Sequence, residues 1–349
     1  MKRLTLLLSS FLLVLSTVSA ARSTWSRATE KAVQEAIDKG SVPGAVVCYI
    51  ENNKIVFLQA YGYRSLVPNK EIMTTNTTFD LASVSKPTGA GTAAMNLIRE
   101  GRLNGNDPVN KYLPSFATNA TIGQLMRHMS GLPSYMYVTS LDSIYRARIA
   151  NGETTLSRPD FLIDTICRCV RPSQPGEKYR YSCLNFITLQ RVVETITGEP
   201  LNRIRPFYRP IDVDINNIGN GAPRGLALIA PTEQQPDGSV LRGDVHDPLA
   251  RVFMLGVSGN AGVFMTAEQL AEWCIWMMNI PKEEREKGLN AGLWIDDDGS
   301  LNHTGYTGTS VRLYPDEHKA LIVLTNRVHP KDVSGVGELR TALRKIFFN

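Results

Sequence analysis

The first part of the chain changes from a helical to a strand pattern of apolar residues. Between residues 29 and 39 apolar side chains recur at helical spacing, and Gly40 follows, so a surface helix is predicted. Two β-rich runs come next, at residues 44–50 and 54–63. The polar residues 51–53 between them suit a hairpin turn, which predicts a pair of antiparallel strands.

The middle of the chain, from Ser83 to about Asn279, is mostly helical in pattern, with interruptions by Pro and Gly. Thr266 followed by Gln269 fits a capping box at the start of one helix, and Gly198 suits the end of another. Helices are predicted at residues 88–100, 122–128, 158–166, 186–197 and 267–279.

Near the C-terminus the strand pattern returns. Residues 310–314 and 320–325 are predicted to pair as strands around a polar segment, and residues 338–348 to form a closing helix. Strands at both ends with helices between them favour an α/β (α+β) fold. In this fold an antiparallel sheet, built from both chain ends and flanked by helices, carries an inserted all-helical lobe.

The same pattern predicts one catalytic domain over residues 21–349, without internal repeats or low-complexity linkers. Its sheet lobe comprises about residues 21–82 and 290–349, and its helical lobe about residues 83–289. A cleft between two such lobes is a natural substrate site, so the chemistry is expected at its edges.

Residues 1–20 have the pattern of a cleaved secretory signal. Lys2 and Arg3 precede an uncharged, leucine-rich run of 15 residues, and small residues lead to Ala20. The run is shorter than the roughly 20 residues that cross a bilayer as a helix. We therefore expect a periplasmic or secreted protein that has no stable membrane anchor after cleavage.

Composition and charge indicate an ordinary globular protein. Of the 349 residues, 43% are apolar and 20% are charged, which excludes a disordered or collagen-like chain. Removing Lys2 and Arg3 from the 38 basic residues leaves 36 against 33 acidic residues, a net charge of +3. This small excess predicts no nucleic-acid partner, and the composition leaves the oligomeric state open.

The cysteines and histidines predict neither a metal nor a cofactor, because the chain has no Cys-x-x-Cys and no His-Glu-x-x-His. Five cysteines in an exported protein leave at least one thiol without an intramolecular partner. The sequence leaves undecided whether two of the residues Cys167, Cys169 and Cys183 form a disulfide bridge. Cys48 and Cys274 lie in apolar patterns that are typical of buried thiols.

Ser83-Val84-Ser85-Lys86 is the one Ser-x-x-Lys in the chain, and it opens a helical run. Ser83 and Lys86 are three residues apart, so they share a helix face and bring a hydroxyl and an amine together at a helix N-terminus. To act as a base at pH 7, Lys86 must lose about 3 units of pKa from its ordinary value of about 10.4. Taken alone, the motif fits a capped helix start with a surface lysine as well as it fits a catalytic site.

Two later segments strengthen the case for catalysis. Tyr181 follows a Pro175-Gly176 turn and precedes a helix, and His303-Thr304-Gly305 lies in a Gly-rich segment that begins a predicted strand pair. By itself, a Tyr at a helix start usually has a packing role, and a His-Thr-Gly sequence usually forms a turn. Their order downstream of Ser83 instead indicates an active site.

In these ordered motifs the sequence resembles the serine β-lactamase and penicillin-binding-protein superfamily, specifically the branch of class C β-lactamases and their esterase relatives. The resemblance runs from about Thr29 to the C-terminal helix and implies a β-lactamase/transpeptidase-like fold. The segments that carry it are residues 79–86, 107–109, 112–114, 128–133, 241–247, 259–264, 303–305 and 324–330.

The resemblance implies an acyl-enzyme mechanism. Ser83 attacks a carbonyl, Lys86 takes or relays its proton, and Tyr181 passes a proton to the leaving group and later helps to activate water. The backbone N–H groups of Ser83 and Tyr306 form the oxyanion site. The resemblance also implies that the substrate is bound by His303, Thr304, Gly305 and Cys183. His303 is expected to be a catalytic residue as well.

Two residues depart from the pattern of class C β-lactamases. Cys183 stands where those enzymes have Asn, and a thiol cannot donate the amide hydrogen bonds that Asn gives to a β-lactam side chain. His303 stands in place of Lys, and a mostly neutral His stabilises a tyrosinate less than Lys does. Lys86 is therefore favoured as the base with Tyr181 as a neutral relay, and Ser258-Gly259-Asn260 is the alternative middle motif.

Other polar residues receive a structural interpretation. His246-Asp247 is interpreted as a polar loop contact rather than a catalytic pair, and His128 with Ser130 as stabilising a turn. A glycan at residue 302 would obstruct the proposed site. The Asn-x-Ser/Thr sequons begin at Asn76, Asn119 and Asn302.

The leading hypothesis is an exported serine hydrolase that acts through a Ser83 acyl-enzyme on an ester or amide. The expected partner is a small molecule or a cell-wall peptide. Peptidoglycan-derived D-amino-acid peptides, as for a DD-carboxypeptidase, and small carboxylic esters both fit. The alternatives are a class C-like β-lactamase and a non-catalytic sensor that binds penicillin or peptidoglycan fragments.

Overall fold

The structure is a computed structural model that describes residues 24–204 and 226–348. The predicted signal at residues 1–20 lies outside the described residues. Within the described residues, no helix is long and apolar enough to cross a membrane. The division into lobes near residues 82 and 290 stays a prediction.

Antiparallel strands from both ends of the chain form the main sheet, as the sequence predicts. The described strands are β1 (Gly44–Glu51), β2 (Lys54–Ser65), β3 (Glu71–Ile72), β4 (Phe79–Asp80), β5 (Phe264–Met265), β6 (Trp294–Ile295), β7 (Leu301–Thr304), β8 (Ser310–Tyr314) and β9 (Lys319–Leu324). The main sheet has the order β3-β2-β1-β9-β8-β7-β6, and β4 pairs separately with β5. The two chain ends meet at its centre, where Val46 lies opposite Leu324.

Helices cover both faces of this sheet and form the inserted lobe. The described α-helices are α1 (24–38), α2 (Thr92–Arg99), α3 (Ile122–Met126), α4 (Val138–Ala150), α5 (Arg158–Arg168), α6 (Cys183–Thr197), α7 (Pro248–Val252), α8 (Ala267–Asn279), α9 (Lys282–Lys287) and α10 (Val336–Phe348). Helix α8 packs on one sheet face, and α1 and α10 pack on the other. The inserted helices enclose a separate apolar core.

The central strand β1 shows why the sheet is buried on both faces. Its side chains point to opposite faces in turn. Val46, Cys48 and Ile50 enter the core under α8, and the odd-numbered residues from 45 to 49 enter the core under α1 and α10. A run of apolar residues without polar alternation is the sequence signature of such a strand.

Most predicted elements are confirmed within a few residues. The 51–53 turn has Asn52 and Asn53 at positive φ, as a tight hairpin turn requires. The capping box of Thr266 and Gln269 is present, and Gly198 ends α6 in the left-handed conformation.

Two helix predictions need correction, and helices α4, α7 and α9 were not predicted. The helix predicted at 88–100 begins with a π-helical turn, Pro87–Gly91, before α2. Helix α6 starts at Cys183 rather than at Phe186 and buries Leu184 and Asn185 in its first turn. Helix α4 was not predicted at all, since Leu141 is its one fully buried residue and its apolar pattern is correspondingly weak.

Candidate active site

Ser83 lies in a short 3₁₀ helix, Ala82–Val84, directly after β4. Ala82 before it has φ +47, a left-handed conformation that costs a non-glycine residue about 1–3 kcal/mol. The buried Asp80 carboxylate holds this loop by accepting hydrogen bonds from the backbone N–H of Ala82 and of His246, both at 2.8 Å. Burial raises the pKa of Asp80, although these N–H groups stabilise its charge.

Lys86 meets Ser83 as the three-residue spacing predicts. Its fully buried Nζ donates to Ser83 Oγ at 2.9 Å and to the backbone oxygen of Asn260 at 2.9 Å. The same Nζ lies 3.6 Å from Cys183 Sγ and 5.0 Å from the centre of the Tyr181 ring. The nucleophile candidate therefore sits beside an amine with four polar or aromatic neighbours.

Opposing effects act on the pKa of Lys86. Burial acts to lower this pKa, but the Cys183 thiol, the Tyr181 phenol and its hydrogen bond to Lys86 act to raise it, and the pKa ends above its ordinary value. This direction is opposite to the fall of about 3 units that a lysine base needs at pH 7, and the role of Lys86 as the base stays a prediction. The Nζ of Lys86 faces two oxygen acceptors, the Ser83 hydroxyl and the Asn260 backbone carbonyl.

Cys183 is the first residue of α6, and its thiol borders Lys86. Burial raises the pKa of this thiol, and the Lys86 charge and a hydrogen bond from Asn260 only partly oppose that effect. The thiol is consequently protonated at neutral pH. All five cysteines are free, so the bridge left open among residues 167, 169 and 183 is not formed, and Cys48 and Cys274 are buried as predicted.

Tyr181 packs between Lys86 and the buried ring of His128, whose centre is 4.5 Å from the tyrosine ring. His128 Nδ1 accepts a hydrogen bond from the Ser182 backbone N–H at 3.2 Å. Burial, with the nearby Lys86 charge, lowers the pKa of His128 to about 3. His128 thus stabilises the approach to α6, and Ser130 Oγ accepts from Leu132 N–H within the turn, so both match the structural interpretation.

His303 lies in β7 and is fully buried. Its Nδ1 contacts the Thr304 backbone oxygen at 3.0 Å, and its ring stacks on Trp294 with centres 4.2 Å apart. Burial, with the Lys86 charge, lowers the pKa of His303 well below its ordinary range. The ring is therefore neutral, as expected for a histidine in the position of the family's lysine.

The turn between β7 and β8 is fastened to the Ser83 loop. Thr307 Oγ1 donates to the backbone oxygen of Asp80 and Thr309 Oγ1 to that of Leu81, both at 2.8 Å. Gly305 is required here, since a Cβ atom would lie 2.4 Å from Leu81 O. These contacts hold the predicted oxyanion segment against the loop that carries Ser83.

One cleft of about 320 Å³ is lined by five of the predicted residues, Ser83, Tyr181, Thr304, Gly305 and Tyr306. Lys86, Cys183 and His303 do not line it, and Lys86 and His303 are fully buried behind it. Sequence reasoning missed two of its wall residues, Tyr179 and Trp294. Tyr179 is two residues before Tyr181, and this close spacing was a signal that could have found it. No sequence signal pointed to Trp294, which comes from the short strand β6. The lining residues are Ser83, Tyr179, Tyr181, Trp294, Thr304, Gly305 and Tyr306.

The alternative middle motif occupies a supporting position. Ser258 Oγ donates to the Asn260 side chain at 2.5 Å, and it is the backbone oxygen of Asn260 that meets Lys86. Both residues are about 1% exposed. Neither side chain borders the cleft.

The remaining polar candidates have structural contacts. The His246 ring stacks on Tyr306, and Asp247 caps α7 by accepting from Ala250 N–H at 2.8 Å. Asn302 is buried in β7, so its sequon is inaccessible in the folded protein, whereas Asn76 and Asn119 are exposed. In the described ranges, no three His, Cys, Asp or Glu side chains come together to hold a metal ion.

Comparisons with known proteins agree with this geometry. A family model described as "Beta-lactamase" matches residues 29–344. A protein of Escherichia coli (strain K12) named "Putative D-alanyl-D-alanine carboxypeptidase" is 28% identical over 359 residues, covering 85% of this chain and 81% of that protein. A protein of the same name from Salmonella agona (strain SL483) is 27% identical over 360 residues, with the same shares covered.

Solved structures share the fold. "EstCE1, a hydrolase with promiscuous acyltransferase activity" superposes with a TM-score of 0.68 at 19% identity, covering 95% of this chain and 100% of that one. "A class C beta-lactamase" superposes with a TM-score of 0.70 at 16% identity, covering 93% of this chain and 96% of that one. The family match extends over most of the sequence, and the protein therefore belongs to the β-lactamase family and is a serine hydrolase of the β-lactamase and penicillin-binding-protein superfamily.

Proposed function

We propose that this hydrolase forms an acyl-enzyme on Ser83 and cleaves uncharged carboxylic esters whose acyl or leaving group is apolar or aromatic. The observation that carries the proposal is the 2.9 Å contact between Lys86 Nζ and Ser83 Oγ at the base of a cleft with aromatic walls. A nucleophile held beside a cation, with backbone donors nearby, is the arrangement that acyl transfer needs.

In the acylation step Ser83 Oγ attacks the ester carbonyl carbon. As the new C–O bond forms, the Ser83 proton passes to the Tyr181 oxygen, and the Tyr181 proton passes to the departing alkoxide oxygen. Lys86 remains charged and stabilises the negative charge on both oxygens. The carbonyl oxygen becomes an oxyanion that the N–H groups of Ser83 and Tyr306 bind.

Deacylation reverses this route with water. Water attacks the acyl carbon and gives its proton to Tyr181, and Tyr181 returns a proton to Ser83 as the acyl–oxygen bond breaks. The carboxylic acid is released and the resting site is restored. This route assigns the relay role to Tyr181, as the sequence suggested, and replaces the lysine base by a lysine cation.

The walls of the cleft favour an apolar group on the substrate. Tyr179, Trp294 and Tyr306 surround the opening above Ser83, and aromatic side chains bind apolar and aromatic groups by area burial and ring contacts. His303, which takes the place of a cationic lysine, is neutral and stacked on Trp294. A neutral ring gives no charge pairing to a substrate carboxylate, so an uncharged ester suits the site better.

The test compares hydrolysis of 4-nitrophenyl butyrate, a 4-nitrophenyl ester of a dicarboxylic half-acid, and nitrocefin by wild type and by Ser83→Ala. We expect the neutral ester to be cleaved with the highest kcat/KM and Ser83→Ala to lose at least 10³-fold. Ser85→Ala serves as the control serine variant, since Ser85 binds the Val263 backbone rather than the cleft. A preference for the charged ester, or undiminished activity in Ser83→Ala, contradicts the proposal.

A D-alanyl-D-alanine carboxypeptidase is the second candidate, because the relatives carry that name and Thr304 borders the cleft. This activity needs recognition of a C-terminal carboxylate, for which a threonine hydroxyl and backbone donors are available. Release of D-alanine from a diacyl-Lys-D-Ala-D-Ala peptide, at a kcat/KM above that of the neutral ester, favours this candidate. A long-lived penicillin adduct without hydrolysis favours the sensor, and rapid nitrocefin turnover favours a β-lactamase.

We also propose export from the cytoplasm. The support is the signal-like pattern of residues 1–20 and the cell-wall activity in the relatives' name. Expression of the full chain in a bacterium, followed by N-terminal sequencing of the mature protein, tests this proposal. A new N-terminus after Ala20 in the periplasmic or culture fraction supports it, and an intact cytoplasmic chain contradicts it.

A further inference from the structure

Arg340 reaches from α10 to the segment that carries the proposed oxyanion donor. Its Nη2 donates to the backbone oxygen of Thr309 at 2.9 Å and to that of Gly305 at 3.3 Å. These are the two backbone groups that close the β7–β8 turn, because Gly305 N–H also donates to Thr309 O at 2.7 Å. Arg340 therefore fastens this turn to α10.

The Gly305 oxygen belongs to the same peptide unit as the Tyr306 N–H. In a planar trans peptide the C=O and N–H bonds point in opposite directions. With its oxygen held by Arg340 and by Gly308 N–H at 3.1 Å, this peptide directs the Tyr306 N–H away from Arg340. Gly305 also packs against the Ser83 loop, since an added Cβ would lie 2.4 Å from Leu81 O and 3.4 Å from Ala82 Cβ.

The surroundings of Arg340 differ from those of its arginine neighbours. Arg312 and Arg344, which line the same 120 Å³ cavity behind the sheet, each pair with a carboxylate, Asp296 at 2.6 Å and Asp298 at 2.7 Å. Among the described residues, no carboxylate lies within 4.0 Å of Arg340, and its buried Nε has no partner. Burying a cation without a counter-ion is costly, so folding alone is a poor explanation for this residue.

Arg340 keeps its charge at neutral pH. Burial, together with the Arg327 charge, lowers its pKa to about 10, which is still well above 7. A guanidinium bound to a peptide oxygen withdraws electron density from that peptide and makes its N–H a stronger donor. The charge is thus placed where it can assist an oxyanion on the far side of one peptide bond.

We propose that Arg340 is a positioning residue for the oxyanion site, which orients and polarises the Gly305–Tyr306 peptide so that the Tyr306 N–H binds the transition-state oxyanion. This inference rests on the proposed Ser83 acyl-enzyme. It assigns to a residue outside the cleft an effect on the rate of acylation rather than on substrate binding.

The test uses Arg340→Met, Arg340→Lys and the control Arg344→Met, which changes an exposed arginine one turn further along α10. For Arg340→Met we expect kcat/KM for 4-nitrophenyl butyrate to fall about 10- to 30-fold, with KM within threefold of wild type. The inhibition constant of phenylboronic acid, whose tetrahedral adduct on Ser83 mimics the oxyanion, should rise by a similar factor. Arg340→Lys should recover part of both losses, and Arg344→Met should stay within twofold of wild type.

Thermal midpoints of all variants show whether they are folded at the assay temperature. A folded Arg340→Met with kcat and boronate inhibition within twofold of wild type overturns the inference and leaves the Ser83 acyl-enzyme intact. A rise in KM alone overturns it as well, because it assigns Arg340 to substrate binding. Boronate inhibition of Ser83→Ala equal to that of wild type instead overturns the proposed function on which the inference rests.

Discussion

Two neutral histidines contact the ring of the relay candidate Tyr181. The ring centres of His128 and His303 lie 4.5 and 6.4 Å from that of Tyr181. Burial is the main cause of the lowered pKa of each, and the Lys86 charge adds to it. Both histidine rings beside Tyr181 are therefore neutral near pH 7.

This burial makes the stability of the fold depend on pH. The pKa of His128 is about 3 in the folded protein and about 6.5 in the unfolded chain, so between these values the unfolded chain binds more protons. The stability that His128 contributes is complete above pH 6.5 and is lost as the pH falls towards 3. At pH 5 the loss is about 2 kcal/mol.

We expect the substitution His128→Asn to reduce the loss of folding stability at acid pH. Asparagine accepts the left-handed φ of +58 at this position and does not titrate. Chemical unfolding at pH 7.5 and pH 5.0 should show a smaller decrease in the free energy of unfolding for the variant than for wild type, by about 2 kcal/mol. His318→Asn is the matched control, since His318 also has a left-handed φ, +51, but is exposed. Equal pH dependence in wild type and His128→Asn would refute the prediction.

At the scale of residues, spacing in the sequence predicts those contacts that local helix geometry determines. Ser83 and Lys86 meet because they are three residues apart in a helical segment, and that follows from the sequence. The pKa of Lys86 did not follow, because its neighbours Cys183 and Asn260 come from segments about 97 and 174 residues away. Arg340 carries no motif, and only the fold brings it to Gly305.

At the scale of elements, the junction between the β7–β8 turn and the Ser83 loop determines the geometry of the site. Two threonine hydroxyls cross this junction, and Gly305 allows the backbones to approach. The arrangement joins the nucleophile and the proposed oxyanion donor, which are more than 200 residues apart in sequence, through direct contacts.

Gly305→Ala should disrupt this junction. The added Cβ would lie 2.1 Å from Thr309 Oγ1 and 2.4 Å from Leu81 O, so the turn must move away from Ser83. We expect kcat/KM to fall about 100-fold or more, as for the loss of an oxyanion donor. Steady-state hydrolysis of 4-nitrophenyl butyrate measures the effect.

Gly337→Ala is the control for this substitution. Gly337 lies in α10, and a Cβ there meets no atom within 4 Å. Activity should be unchanged, and the free energy of unfolding should rise by up to about 1 kcal/mol, because alanine favours a helix more than glycine does. Activity of Gly305→Ala within threefold of wild type would show that the junction does not set the oxyanion geometry.

The elements that the sequence predicted best are those with strong end signals or strong periodicity. Helix α8 matches its predicted bounds, 267–279, because a capping box marks its start, and β8 matches its predicted range of 310–314. The short strands β4, β5 and β6 have two residues each, so no periodicity can reveal them. Strands β4 and β5 position the loop that carries Ser83, and β6 supplies Trp294.

At the scale of the whole molecule, the site lies where the two chain ends and the helical insertion meet. The order of strands, helices and strands predicts that the two chain ends share one sheet, and the pairing of β1 with β9 confirms that part. Sequence order does not give the register, which places Val46 opposite Leu324, because register depends on packing against helices from both ends. The same fold occurs in proteins with different substrates, so the fold alone does not name one.

The most direct test of the central claim is covalent labelling with a 4-nitrophenyl alkylphosphonate, which forms a stable adduct with an activated serine. Intact-protein mass and peptide mapping after labelling should show one adduct, on Ser83, in wild type, and none in Ser83→Ala. The rate of labelling should match the rate at which ester hydrolysis is lost. An adduct on another residue, equal labelling of Ser83→Ala, or persistent hydrolysis by fully labelled protein would contradict the account.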